Sequence, residues 1–158
     1  MILITMANGK TIKIRLCPEQ APKTVANFQK LVSEKFYDGL IFHRVIAGFM
    51  IQGGDPLGNG MGGAKENIVG EFKANGVNNT LSHRRGVISM ARAQAFNSAS
   101  SQFFIMHQDG TFLDGQYAAF GEVVEGIETV DEIASTRTDA RDKPIAEQKI
   151  LTIREVAD

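Results

Sequence analysis

The chain has 158 residues, 43% of them hydrophobic and 22% charged, values of an ordinary globular protein able to bury a core without disulfides or metals. Seventeen basic residues against eighteen acidic ones leave a formal charge of -1, so no global field attracts nucleic acid or an anionic membrane. Cys17 is the single cysteine, which excludes an intramolecular disulfide, and no apolar run approaches the ~18 residues of a membrane span. A monomer of one domain, residues 1–158, in a reducing cytoplasmic compartment is the expectation, because Met1 to Met6 meets Asn8-Gly9 too early for a secretory signal.

Ile2, Ile4 and Met6 alternate with Leu3 and Thr5, Asn8-Gly9 suits a tight turn, and Ile12, Ile14 and Leu16 alternate again, which predicts a hairpin. Val25, Phe28, Leu31 and Val32 then follow a helical period over residues 20–34, with Pro22 in the first turn and Gly39 beyond the end. Further strands are predicted at 41–46, 49–54, 86–91, 102–106, 118–124 and 148–156, each bounded by Gly, Asn, Asp or Pro. Ile127, Val130, Ile133 and Ala134 form a second helical stripe. The first and last strands are both apolar and suited to pair, closing the sheet; the pattern by itself allows a barrel or a sandwich. Between Asp55 and Arg85 the periodicity vanishes, and so long a loop is expected to wall a site, while His83-Arg84-Arg85 reads as a solvated cluster.

Several motifs invite chemistry that their context denies. Gly58-Asn59-Gly60-Met61-Gly62-Gly63 satisfies G-x-G-x-x-G, but no crossover helix and parallel strand follow, so a turn-rich loop is the better reading. His43, His83 and His107 lack metal-ligand spacing, and no G-x-S-x-G elbow frames Ser98, Ser100 or Ser101. The stretch Ile41-Phe42-His43-Arg44-Val45-Ile46-Ala47-Gly48-Phe49-Met50-Ile51-Gln52-Gly53-Gly54-Asp55 differs in kind. It sets a guanidinium, large apolar groups and an amide on extended, Gly-bent backbone, with Phe42 and Arg44 expected on one face, Met50 and Gln52 on one face of the next strand, and Phe49 at the bend. Taken alone, Arg44 would be a surface ion-pair residue, and Phe49, Met50 and Phe104 ordinary core.

That stretch resembles the FHR-(I/V)-I-x-GFM-x-QGGD signature of the cyclophilins, the cyclosporin-binding peptidyl-prolyl cis/trans isomerases. Ile88-Ser89-Met90-Ala91-Arg92-Ala93 and Asn97-Ser98-Ala99-Ser100-Ser101-Gln102-Phe103-Phe104-Ile105 are similar to two further cyclophilin blocks, in the same order, and Phe112-Leu113-Asp114-Gly115 and Phe120-Gly121-Glu122-Val123 extend the likeness over nearly the whole chain. The resemblance implies a closed eight-stranded antiparallel β-barrel capped by two α-helices. It also implies a proline pocket of Phe49, Met50, Phe104 and Leu113, and a peptide groove with Gln52, Gly60, Ala91, Arg92, Ala93 and Gln102, the contact at Arg92 made largely by backbone, with Phe112 as apolar wall and Tyr117 also binding substrate. Arg44 is the implied catalytic residue of an isomerase that needs no metal or cofactor and acts on proline peptides and unfolded clients, assisting folding. A proline-binding module or holdase without turnover is the rival reading.

Four positions depart from the common pattern. Ala47 stands where many relatives carry Pro, Arg92 where Asn is frequent, Phe112 where Trp is common and Tyr117 where His is common. Phe112 and Tyr117 point to the bacterial subclass, and loss of the indole donor at position 112 predicts weak cyclosporin A binding.

Overall fold

Asn8-Gly9 turns the chain as its chemistry suggests. Gly9 takes φ +88°, Lys10 N–H donates to Asn8 Oδ1 at 2.9 Å, and Met6 N–H closes the loop on the Lys10 carbonyl at 2.8 Å. In this computed structural model, which describes residues 1–158, the turn joins β1 (Ile2–Met6) to β2 (Thr11–Leu16) in register, Ile4 facing Ile12. The alternating Ile2, Ile4, Ile12 and Ile14 are all fully buried.

The first helix, α1 (Pro22–Ser33), buries Thr24, Val25, Phe28, Leu31 and Val32. Its N-cap, Ala21, offers no side chain; the buried carboxylate of Glu71 serves instead, accepting from Thr24 N–H at 2.6 Å and Thr24 Oγ1 at 2.7 Å. The helix ends within a residue of its predicted bound, ahead of Gly39. Lys35 adopts a left-handed φ of +59°, with Lys35 N–H on the Val32 carbonyl and Phe36 N–H on the Leu31 carbonyl, so the stop comes four residues before that glycine.

The remaining elements are β3 (Phe42–Ile46), β4 (Met50–Gly53), β5 (Val87–Met90), β6 (Phe103–Met106), β7 (Ala119–Glu125), α2 (Ile127–Ala134) and β8 (Ile150–Glu155), with short 3-10 turns at Lys73–Asn75 and Thr111–Leu113. All ladders are antiparallel, in the order β3-β4-β6-β5-β7-β2-β1-β8. The first and last strands do pair, Ile4 opposite Ile153, but this pairing does not close the sheet. Its edges are β3 and β8, so the structure is an eight-stranded half-barrel and not the closed barrel expected from the family resemblance. Ahead of β8 the two sides are linked by an isolated Ile41–Lys149 bridge and by Phe42 N–H on the Gln148 carbonyl at 3.0 Å, short of a ladder. The segment beside β3 carries Pro144 and a left-handed Asp142 (φ +64°), which cannot sustain a ladder, although Asp142 still accepts from Val45 N–H at 2.7 Å and shields that edge.

Both faces of the sheet are covered. On one, Phe28 packs against Tyr37, Phe103 and Phe120 at ring separations of 5.2, 5.8 and 5.2 Å, and Val130, Ile133 and Ala134 of α2 join the same core. On the other, Met50, Val87, Phe104, Met106 and Ala119 form a smaller cluster, flanked by Phe49, Ala91, Leu113 and Tyr117. No helix is long and apolar enough to cross a membrane.

Candidate functional site

Strict alternation would put Phe42 and Arg44 on one face of β3. Instead the ladder slips between them: Phe42 lies opposite Gly53, and Arg44 opposite Gln52. This bulge sends Phe42 into the main core, 6.0 Å from the Phe103 ring, and leaves Arg44 exposed on the opposite face. Met50 and Gln52 do share the Arg44 face. Register then extends the row across the sheet, Gln52 opposite Phe104 and Phe104 opposite Ser89, so residues remote in sequence become lateral neighbours.

Around this row Arg44, Phe49, Met50, Gln52, Ala91, Arg92, Phe104, Leu113 and Tyr117 line an apolar hollow of about 140 Å³. Phe49 comes from the β3–β4 turn, Leu113 from the 3-10 turn, and Tyr117 meets Phe104 edge to face at 5.8 Å. Beside it lies a polar hollow of about 370 Å³, lined in part by Gly60, Met61, Ala93 and Gln102 and sharing Gln52, Ala91 and Arg92 with the first. The long aperiodic loop therefore does wall this depression.

A directed chain of hydrogen bonds joins the two hollows. Arg44 Nη1 donates to Gln52 Oε1 at 3.2 Å, Gln52 Nε2 to Gln102 Oε1 at 3.0 Å, and Gln102 Nε2 to the carbonyls of Gly60 and Gly62 at 3.1 and 2.8 Å. Each amide is thereby oriented, and most of the Arg44 donors remain uncommitted.

The glycine loop is shaped around Asp55. Its buried carboxylate accepts from the backbone N–H groups of Leu57, Asn59 and Gly60 at 2.8, 3.1 and 2.6 Å. Burial pushes this carboxyl up, but the converging backbone donors outweigh it and hold it below the ordinary range. A Cβ on Gly62 would stand 2.1 Å from Asp55 Oδ1, which explains that glycine without any nucleotide. Asp55 is a structural centre that sequence reasoning left unassigned; an acidic residue heading a glycine-rich loop was the available signal.

Two expected wall residues behave differently. Phe112 is 72% exposed and stands at the rim, its ring 5.7 Å from Phe49, outside the apolar hollow itself. Arg92 contributes its side chain and not only backbone. Its guanidinium lies 4.9, 5.3 and 4.8 Å from the rings of Phe72, Phe96 and Tyr117 and donates to the carbonyls of Ala93, Gln94 and Gln116.

The His83-Arg84-Arg85 cluster is not a solvated loop. His83 is fully buried, stacked on Phe104 at 6.0 Å, with Nδ1 2.9 Å from Asp114 Oδ1 and Nε2 2.8 Å from Ser89 Oγ. Arg84 alone reads as free surface, since Arg85 pairs with Asp131. The Asp114–His83–Ser89 chain has the order of a nucleophile relay, yet Ser89 is fully buried beside Phe104, where no substrate can reach it. Burial is the main influence on His83 and lowers its pKa against the opposing pull of Asp114. His43, also buried, is likewise lowered chiefly by desolvation. No group of three His, Cys, Asp or Glu side chains is disposed to hold a metal.

A half-barrel bearing an apolar hollow beside an amide-lined one is suited to an extended peptide. The family model described as cyclophilin type peptidyl-prolyl cis-trans isomerase/CLD matches residues 1–155. A peptidyl-prolyl cis-trans isomerase of Schizosaccharomyces pombe is 45% identical over 141 residues, 89% of each chain. Peptidyl-prolyl cis-trans isomerase B of Bacillus subtilis is 46% identical over 123 residues, 78% of this chain and 82% of its own. Among solved structures, a cyclophilin-type isomerase of Cryptosporidium parvum, determined in the presence of the dipeptide Ala-Pro, superposes with a TM-score of 0.90 at 35% identity over 99% of both chains. The chain belongs to the cyclophilin family and is a peptidyl-prolyl cis-trans isomerase.

Proposed function

We propose that the apolar hollow receives the prolyl ring and that Arg44 catalyses rotation of the preceding peptide bond. That bond turns over a barrier of roughly 20 kcal/mol because conjugation gives its C–N link partial double-bond character, and uncatalysed exchange takes about 10–100 s. As the bond twists, the nitrogen lone pair localises and becomes an acceptor. A donor aimed there binds the twisted state better than either planar state, which lowers the barrier without a covalent intermediate, metal or cofactor.

The observation that carries this reading is the placement of Arg44: exposed at the edge of the apolar hollow, steadied through one nitrogen by Gln52, with donors left over. A guanidinium supplies those donors as a rigid planar fork. Gln52, Gln102 and the backbone of Ala91–Ala93 hold the flanking peptide across the second hollow, with Gly60 as its wall and Phe112 at the rim. Support comes from the Ala-Pro dipeptide used with the Cryptosporidium parvum relative. We further assign the chain to the bacterial cytoplasmic subclass, as a one-domain monomer that acts on flexible or unfolded proline-containing segments and assists their folding, and that binds cyclosporin A weakly.

Exchange spectroscopy on a short X-Pro peptide tests the assignment. Catalytic amounts of protein should accelerate cis/trans exchange. Peptide-induced shifts without acceleration would instead identify a proline-binding module or holdase.

A further inference from the structure

We propose that His107 is a positioning residue that sets the proline pocket by holding the β3–β4 turn through its unprotonated Nδ1. The proposal rests on the assignment of Phe49 to that pocket.

His107 grips the turn twice. Its backbone N–H donates to the Phe49 carbonyl at 2.8 Å, and its Nδ1 accepts from Gly48 N–H at 2.9 Å. A backbone N–H can only donate, so Nδ1 carries no proton and the ring is the neutral tautomer with hydrogen on Nε2. That hydrogen points to Asp131 Oδ1, 3.1 Å away on α2. Asp131 is itself fixed by Arg85, whose Nη1 and Nη2 reach its two oxygens at 2.7 and 2.8 Å. Arg85 also donates from Nη1 to the His107 carbonyl at 2.8 Å, and its own N–H is taken by Asp109 at 2.8 Å. The charged groups facing the ring are thus one carboxylate and one guanidinium, already paired with each other, with Asp109 beyond them.

The consequence falls on Gly48. This residue has φ +82° and is exposed, so little besides the imidazole fixes its N–H. A proton on Nδ1 would set two donors against each other and break the contact. Phe49, the next residue, lines the apolar hollow and packs against Phe112, so a loosened turn displaces a wall of the pocket. Arg44 lies on β3 itself and is held through Gln52, and the chemistry uses no proton transfer. Loss of the Nδ1 acceptor should therefore weaken binding while leaving the rate at saturating peptide largely unchanged.

The test separates binding from turnover. Peptide affinity is measured by chemical-shift titration with an Ala-Pro peptide, and exchange acceleration is measured alongside. H107N keeps an acceptor at the Nδ1 position, so it should bind as wild type, whereas H107A should bind about three- to ten-fold more weakly, the weight of one net hydrogen bond, with its rate at saturating peptide largely unchanged. Should H107A fold poorly, nitrogen NMR of the wild-type ring still decides: Nδ1 must be the unprotonated nitrogen, and the Gly48 amide must be protected from exchange. H107N binding as weakly as H107A, H107A binding as wild type, or a proton on Nδ1 would each overturn the proposal. Binding that follows the expected pattern without any exchange acceleration would support the role of His107 and overturn catalysis instead.

Discussion

Arg44 reaches its place through a bulge that breaks strand alternation, and that bulge separates what the side chain does for the site from what the core requires. Phe42 and Val45 are buried in the main core, whereas Arg44 is exposed and bonded only to Gln52. Arg44→Ala should accordingly lower isomerisation by orders of magnitude while the thermal midpoint moves by only about 1–3 °C, the scale of a surface change. Arg44→Lys should rescue poorly, because a point charge lacks the fork. Near-normal exchange catalysis in folded Arg44→Ala protein would refute the mechanism. At the rim, Phe112 offers an apolar ring and no donor. A neutral hydrogen bond is worth about 0.5–1.5 kcal/mol net and a stranded acceptor costs about 1–3 kcal/mol, so Phe112→Trp should tighten cyclosporin A by roughly ten-fold or more, with little change on short X-Pro peptides. Competitive titration of both forms in the exchange assay measures this, and equal affinities would show that position 112 does not control drug binding here.

At the scale of elements, the glycine-rich loop depends on one carboxylate. Removing Asp55 would strand three backbone N–H groups and free the carbonyl-bearing residues that receive Gln102. Asp55→Ala should destabilise the protein by about 2–4 kcal/mol and expose the amides of Leu57, Asn59 and Gly60 to hydrogen exchange. A melt and an exchange map check both, and unchanged protection at those amides would contradict the assignment. The elements differ in how visible they were in sequence. The hairpin, both helices and all later strands fall within about two residues of their predicted bounds, because period and turn chemistry are local. The device that ends α1, a left-handed Lys35, is one that its side chain does not advertise. The course of residues 55–85 was invisible, since Asp55 gathers N–H groups of its own loop while Glu71 and Asn79 tie it to Thr24 N–H and the Ala119 carbonyl, far away in sequence.

For the whole molecule, stability should decline on acidification, and the sign follows from the directions of the shifts. His43 and His83 have lowered pKa values, chiefly through burial, so below about pH 6.5 the unfolded chain takes up protons that the folded one refuses. Asp55 and Asp114 are also lowered, the hydrogen bonds they accept outweighing the opposite pull of burial. Their contribution is therefore present above about pH 4 and is lost as pH falls through their folded values. Thermal midpoints measured from about pH 8 to pH 3 should fall in two stages, and Asp55→Asn should flatten the lower one. A maximum near pH 5 would contradict both assignments.

Sequence by itself determined the strand and helix content, the blocks that carry the family likeness, and the nine residues that line the apolar hollow, but not Met61, Gly62, Asn67 or Ser100 in the lining of the polar one. What it determined is a matter of local period, turn chemistry and motif, which a linear reading can see. Tertiary structure alone decided the half-open sheet, the bulge that turns Arg44 away from Phe42, the rim position of Phe112, and the burial of His83 beneath the pocket. Each depends on which distant segment supplies a hydrogen-bond partner or covers a face, and that is settled only when the chain has closed on itself.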